Sequence, residues 1–293
     1  MIFKRIIVSI IFLLTTSLVS QEINIPKNIT KSYNDHQFIY FFSKNNYLKL
    51  DVANYKISES FEFNNNGFDI NNFTPIKIND VFYFVQNVGG LVLELNKNDL
   101  KRIDNSFNHK MQIASTIFRY NNEIYRYGGY GYFSAREFIV KFDFETNEWE
   151  SVKVNGELIP PARFSNAFSI DENNLTIIGG TTVDRYNREK RVRLTDMWQF
   201  SFEELKWSFL LDSEEIQPID YEAFKFDNKI FFREGNYLKS LNLDSFELSN
   251  NNLTNALLKV SKRFKIHYFD GSFHFVVDRN NVLTGKENIF SSG

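Results

Sequence analysis

The chain has 293 residues, of which 17% are aromatic, 43% apolar and 24% charged, with only 13 Gly and 5 Pro. That composition excludes disordered, collagen-like and coiled-coil chains, and it supplies enough apolar material for a large core. There is no cysteine, which excludes disulfides, thiolate metal sites, a cysteine nucleophile and a cysteine-linked lipid anchor, and a net charge of −2 leaves no overall footprint for nucleic acid.

Lys4 and Arg5 precede an apolar run from Ile6 to Leu14, broken only by Ser9, and a polar stretch then leads to Leu18-Val19-Ser20. This is the three-part layout of a secretory signal peptide over residues 1–20, with Gln21 as the new N-terminus. An uncleaved anchor is the competing reading, but the apolar run is shorter than the ~20 residues that cross a bilayer. Removing the leader takes away Lys4 and Arg5 and no acid, leaving 32 basic against 36 acidic residues. No later segment is long and apolar enough to span. The mature chain is therefore expected outside the cytoplasm, secreted or periplasmic, with no membrane span.

From there a repeat runs through residues 21–293. Two apolar residues separated by one are followed by a third, seven residues after the first. The copies are Leu48/Leu50/Tyr55, Leu93/Leu95/Leu100, Phe142/Phe144/Trp149, Phe200/Phe202/Trp207, Leu241/Leu243/Leu248 and a weaker Val282/Thr284/Ile289. Alternation puts the first two on one face of a strand. A polar turn follows, such as Asp143 to Glu148 with Asn147 in it, and the last residue opens an antiparallel strand. A further strand precedes each copy, at Phe38–Phe42, Val81–Val85, Glu123–Tyr127, Leu175–Ile178, Lys229–Phe232 and Ser272–Val277. Another alternating stretch lies before that, clearest at Phe164–Ile170 and Glu222–Phe226. Four short strands per ~40–50 residues is the period of a β-propeller blade. The pattern predicts an all-β propeller of six four-stranded blades, near 27–66, 67–111, 112–160, 161–215, 216–256 and 257–293. Phe142, Phe144, Trp149, Phe200, Phe202 and Trp207 are expected to be buried. Glu22–Pro26 is the candidate strand to complete the last blade, the alternative being a chain that continues past Gly293.

The third and fourth copies resemble kelch repeats. Gly128-Gly129 follows a strand and lies 20 residues before Trp149; Gly179-Gly180 follows a strand and lies 27 residues before Trp207. Pro161-Ala-Arg163 is similar to the kelch lead-in to a blade. The resemblance implies glycines that end the second strand where the backbone is crowded, and a tryptophan packed between blades. The second copy keeps Gly89-Gly90 but has Leu100 in place of Trp, and the remaining copies are degenerate. A differently classed six-bladed propeller is the alternative.

Kelch propellers resemble galactose oxidase, a copper enzyme, but its Tyr–Cys crosslink is excluded here for want of cysteine. His36, His109, His267 and His274 are expected in separate blades, without metal-ligand spacing. No phosphate loop, calcium loop or nucleophile elbow is present, and Glu203-Glu204 and Glu214-Glu215 fall in turns. Neither metal nor cofactor is expected. The segment Thr181–Asp196 carries five basic and three acidic residues. Arg185, Tyr186 and Arg188 at its centre are expected on one face of the ring with Tyr130, Tyr132, Arg136 and Arg163. Arg and Tyr together suit recognition; a solvated hairpin is the competing account. The expected function is a non-catalytic binding module for a protein or glycan ligand through this face. The alternatives are a carbohydrate-active enzyme such as a mutarotase, which some exported kelch propellers resemble, and the extracytoplasmic part of a longer sensor or scaffold.

Overall fold

A computed structural model describes residues 31–35, 37–54, 56–105, 111–216, 223–226, 228–234, 237–252, 264–269, 272–277 and 286–287. The leader at 1–20, the closing segment Glu22–Pro26, Tyr55 and Ile289 lie outside these residues.

Five four-stranded antiparallel sheets follow one another along the chain as the blades of a β-propeller. Blade one holds β1 (Lys31–Asn34), β2 (Phe38–Phe42), β3 (Asn46–Asp51) and β4 (Lys56–Glu62). Blade two holds β5 (Phe73–Ile78), β6 (Val81–Gln86), β7 (Val92–Asn96) and β8 (Asp99–Arg102). Blade three is built from β9 (Thr116–Tyr120), β10 (Glu123–Tyr127), β13 (Ile139–Asp143) and β14 (Glu148–Ser151). Its small ribbon β11–β12 (Tyr130–Gly131, Ser134–Ala135) is inserted between β10 and β13. Blade four has β15 (Ala167–Ile170), β16 (Asn174–Val183), β17 (Arg191–Ser201) and β18 (Lys206–Asp212). Blade five has β19 (Ala223–Phe226), β20 (Lys229–Glu234), β21 (Tyr237–Asn242) and β22 (Leu248–Asn252). Six four-stranded blades were expected, and five are found among the described residues. The residues after them form a three-stranded sheet of β23 (Phe264–Phe269), β24 (Ser272–Val277) and β25 (Lys286–Glu287). Among the described residues the helical content is one 3₁₀ turn, Ile70–Asn72.

Turn chemistry sets the strand pairings. Asn79-Asp80 and Asn121-Asn122 are consecutive left-handed residues in the β5–β6 and β9–β10 turns. Both are two-residue hairpins with the backbone signs of type I′, and Asn and Asp tolerate that conformation best after Gly. At the third turn of a blade the predicted seven-residue spacing becomes a cross-strand pair. Phe142 faces Trp149, Phe200 faces Trp207 and Leu241 faces Leu248. The fourth residue of each of these turns is left-handed: Asn147 (φ 58°), Leu205 (φ 52°) and Phe246 (φ 56°). Blade two departs from this spacing, with Leu95 opposite Leu100 across a two-residue turn.

The first strands of consecutive blades are neighbours, β1 beside β5, β5 beside β9, β9 beside β15 and β15 beside β19. The core is accordingly a series of layers between blades. Phe42, Phe82 and Leu93 join blades one and two; Val85, Ile124 and Trp149 join two and three; Tyr127, Leu175 and Trp207 join three and four. Each such side chain withdrawn from water contributes roughly 1.5–3 kcal/mol. Trp149 donates its indole N–H to the Gly90 carbonyl of blade two at 2.8 Å. Phe144, expected inside, is 37% exposed. It opens the β13–β14 turn, so its ring covers the outer edges of Phe142 and Tyr83, both 5.1 Å away, instead of entering the layer. Phe202 stacks on Tyr120 of the preceding blade at 3.6 Å.

Candidate functional site

In an antiparallel four-stranded blade, the second-to-third turn and the link to the next blade emerge on one face. The other two turns emerge opposite. The first face carries the residues singled out from the sequence, and blades three and four build its most prominent part.

Residues 181–183 and 191–196 extend the ladder of β16 and β17. β16 and β17 pair from Gly180–Leu194 to Val183–Arg191. The tip is closed by Asp184, whose carboxylate accepts from the amides of Tyr186 and Asn187 at 2.8 Å each. Those amides hold the Asp184 carboxyl below its usual pKa. Arg185, Tyr186 and Arg188 are exposed, Tyr186 to 93%.

Beside this hairpin stands the β11–β12 ribbon, with β12 packed next to β16. Its two-residue turn is Tyr132-Phe133, with φ of 51° and 61°. The turn type calls for Asn or Gly, yet two large aromatics hold it at 57% and 72% exposure. Tyr130 is half-buried. The Arg191 guanidinium lies 4.4 Å from its ring centre and 5.6 Å from that of Phe164, clamping the blade-four hairpin onto blade three. Arg136 is half-buried, and its backbone bridges to Arg163.

Arg163 is not on the surface. It is fully buried, donating to both carboxylate oxygens of Asp196 at 2.7 and 2.9 Å. It donates also to the carbonyls of Gly179 (2.9 Å) and Pro161 (3.0 Å), while the Trp198 indole N–H caps Asp196 at 2.7 Å. Its hydrogen-bonding directions are spent inside the fold, so it presents no guanidinium to a partner. The paired glycines explain how the backbone closes over it. A Cβ on Gly129 (φ 103°) would lie 2.9 Å from the Gln112 backbone, and one on Gly180 (φ 108°) would lie 2.9 Å from the Asn166 Cβ. Neither the conformation nor the space admits a side chain.

Sequence reading did not single out Phe133 or Phe138, and it counted Arg191 only among the charges of the hairpin. The signal available was the aromatic pair Tyr132-Phe133 following Gly131, a turn flanked by polar residues. His267 and His274 were expected apart, but the β23–β24 hairpin sets them directly opposite each other. Among the described residues no group of three or more His, Asp or Glu is placed to hold a metal ion. No described helix is long and apolar enough to cross a membrane. The chain matches no protein-family model and no curated protein.

Proposed function

We propose that the protein is a non-catalytic binding module of kelch type, acting outside the cytoplasm and engaging a protein partner through the face built by blades three and four. One observation carries the reading: Tyr132, Phe133 and Tyr186 stand 57%, 72% and 93% exposed beside Arg185 and Arg188. Exposed aromatics with flanking arginines are the composition of interface hot spots. Two of them occupy left-handed backbone positions, a strain that folding alone does not call for. The rigid blades carry the hairpins, so the surface can be specialised without disturbing the core. The kelch assignment rests on the glycine pairs, on Trp149 between blades and on the Pro161-Ala-Arg163 lead-in. Export rests on residues 1–20, and N-terminal sequencing of the exported chain is expected to begin at or near Gln21.

A mutarotase-like reading needs an arginine and a carboxylate exposed together in an axial pocket. The arginine–carboxylate pairs here among the described residues are Arg163–Asp196, closed on itself and buried, and Arg102–Asp104 at the link from blade two, whose carboxylate is buried under its own arginine and the Val92 amide. The test compares what immobilised wild-type chain, Tyr132→Ser/Phe133→Asn and Arg185→Ala/Arg188→Ala retain from an envelope extract. Proteins retained by wild type are expected to be lost from both variants, and retention by the arginine variant to weaken further with salt. Equal retention by all three removes this face from the proposal, and turnover of a free sugar moves the protein to the enzyme class.

A further inference from the structure

A half-open cleft of about 520 Å³ lies between blades one and two, bordered by the β5–β6 and β7–β8 turns. It sits at the opposite end of the blades from the arginine hairpin. Its volume falls within the ~300–1,000 Å³ typical of small-molecule sites.

The walls have two components. One is aromatic: Tyr40, Tyr47, Phe61 and Phe82, with Tyr47 and Phe61 ring centres 4.6 Å apart and Tyr40 and Phe82 5.0 Å apart. The other is charged and balanced, three lysines (Lys49, Lys77, Lys97) against Glu59, Asp80 and Glu94. Lys77 is held in place by Asp80 at 2.9 Å, Asp35 at 3.2 Å and the Tyr40 hydroxyl at 2.9 Å. Tyr40 in turn donates to Asp35 at 2.5 Å. That side of the cleft is pre-organised. The other side has capacity left. Tyr47 is 4% exposed, yet its hydroxyl makes no hydrogen bond among the described residues. Glu94 and Lys97 have neither a hydrogen bond nor an ion pair there. The Tyr47 hydroxyl is not sealed from solvent, so it is available to a ligand in the cleft.

We propose that this cleft binds a neutral sugar, a mono- or disaccharide. A pyranose ring presents an apolar C–H face that fits against the partly buried Phe61 ring, the Tyr40, Tyr47 and Phe82 rings being buried in the core. Its hydroxyls donate and accept at once, which suits a rim carrying ammonium, carboxylate, amide and phenol together. Balanced wall charge gives no preference for a charged ligand. The cleft shares no residue with the blade-three and blade-four face, so the two proposals stand or fall separately.

The purified chain is titrated calorimetrically with glucose, galactose, N-acetylglucosamine, cellobiose and chitobiose, with glucuronate and glucosamine as charged controls. Saturable binding of at least one neutral sugar is expected. Tyr47→Phe and Lys97→Ala should each weaken it by about tenfold, consistent with loss of one hydrogen bond to a ligand. Arg185→Ala/Arg188→Ala should leave it unchanged. Lys97 lies on an exposed turn, so its variant carries the test if Tyr47→Phe fails to fold. Absence of saturable binding by every neutral sugar overturns the proposal. So does binding confined to a charged control, or binding that Lys97→Ala leaves untouched.

Discussion

In blade three the side chain of Gln112 donates to the Gly128 carbonyl at 2.8 Å; in blade four Arg163, at the matching position, donates to the Gly179 carbonyl at 2.9 Å. Both are followed by a bridged residue, Ile113 to Tyr130 and Phe164 to Thr181, and then by a left-handed one, Ala114 (φ 54°) and Ser165 (φ 55°). Blade three carries its buried arginine elsewhere, at Arg126 in β10, where blade four has Ile177. Arg126 donates to the Ser115 hydroxyl and to the carbonyls of Gln112 and Gly89, with no carboxylate among its partners. Burial pushes its pKa down to about 9. Arg163 instead has Asp196 within the fold. The repeat thus demands a donor at one place but does not dictate which residue supplies it. The two solutions should also differ in how badly they fail.

Removing one member of a buried ion pair leaves the other charge without compensation, a loss of about 3–5 kcal/mol. Arg163→Met is therefore expected to be the most damaging of these changes. Adding Asp196→Leu should recover much of the loss, because no charge is then stranded; a urea-denaturation cycle over the four proteins measures the coupling. Additivity within about 0.5 kcal/mol would show that the pair is not the cause. Arg126→Met strands only neutral acceptors, so it should cost about 1–3 kcal/mol. A loss equal to that of Arg163→Met would break the comparison.

The tryptophans sharpen it at smaller scale. Trp149 donates to Gly90, whereas the buried Trp207 indole N–H has no partner among the described residues. The two Trp→Phe changes remove the same volume, so Trp149→Phe should be the worse by about 1 kcal/mol, the value of one hydrogen bond. Equal losses would mean that the indole bond contributes nothing.

Carboxylates joining other blades supply the smallest effect. Burial alone would raise the Asp35 pKa, but bonds from Tyr40, the Gln37 and Phe38 amides and Lys77 outweigh it and hold the group below its usual value. Asp171 is lowered in the same balance, against Lys225 of blade five. A depressed folded pKa contributes stability that is full above the unfolded value of about 3.9 and is lost as pH falls through the folded one. Denaturation midpoints should decline in that acid window, and Asp35→Asn should flatten the decline. An unchanged acid limb would remove Asp35 from its causes.

Strand positions were legible because they follow from period-two alternation and local turn chemistry. The predicted segments Phe38–Phe42, Glu123–Tyr127 and Ser272–Val277 coincide with β2, β10 and β24. The glycine pairs were legible for a related reason, since a residue without a Cβ marks crowding wherever it recurs. The face proposed for binding was read only in part. Arg185, Tyr186 and Arg188 are exposed as expected, while Phe133 went unnoticed because a Phe has no preference for a left-handed turn.

Arg163 shows where local pattern stops. In the chain it is a charged residue two positions after a proline, and such residues are mostly exposed. Its partner Asp196 lies 33 residues away. The two meet only because β16 and β17 fold back over the lead-in, at a spot where Gly179 and Gly180 leave room. The cleft between blades one and two was equally invisible, since Tyr47 and Lys97 belong to different repeats. Alternation and turns act over a few residues, so the sequence alone reveals them. Which charge is buried, which aromatic reaches solvent and which side chains share a cleft depend on how blades pack, and that packing exists only once the blades assemble.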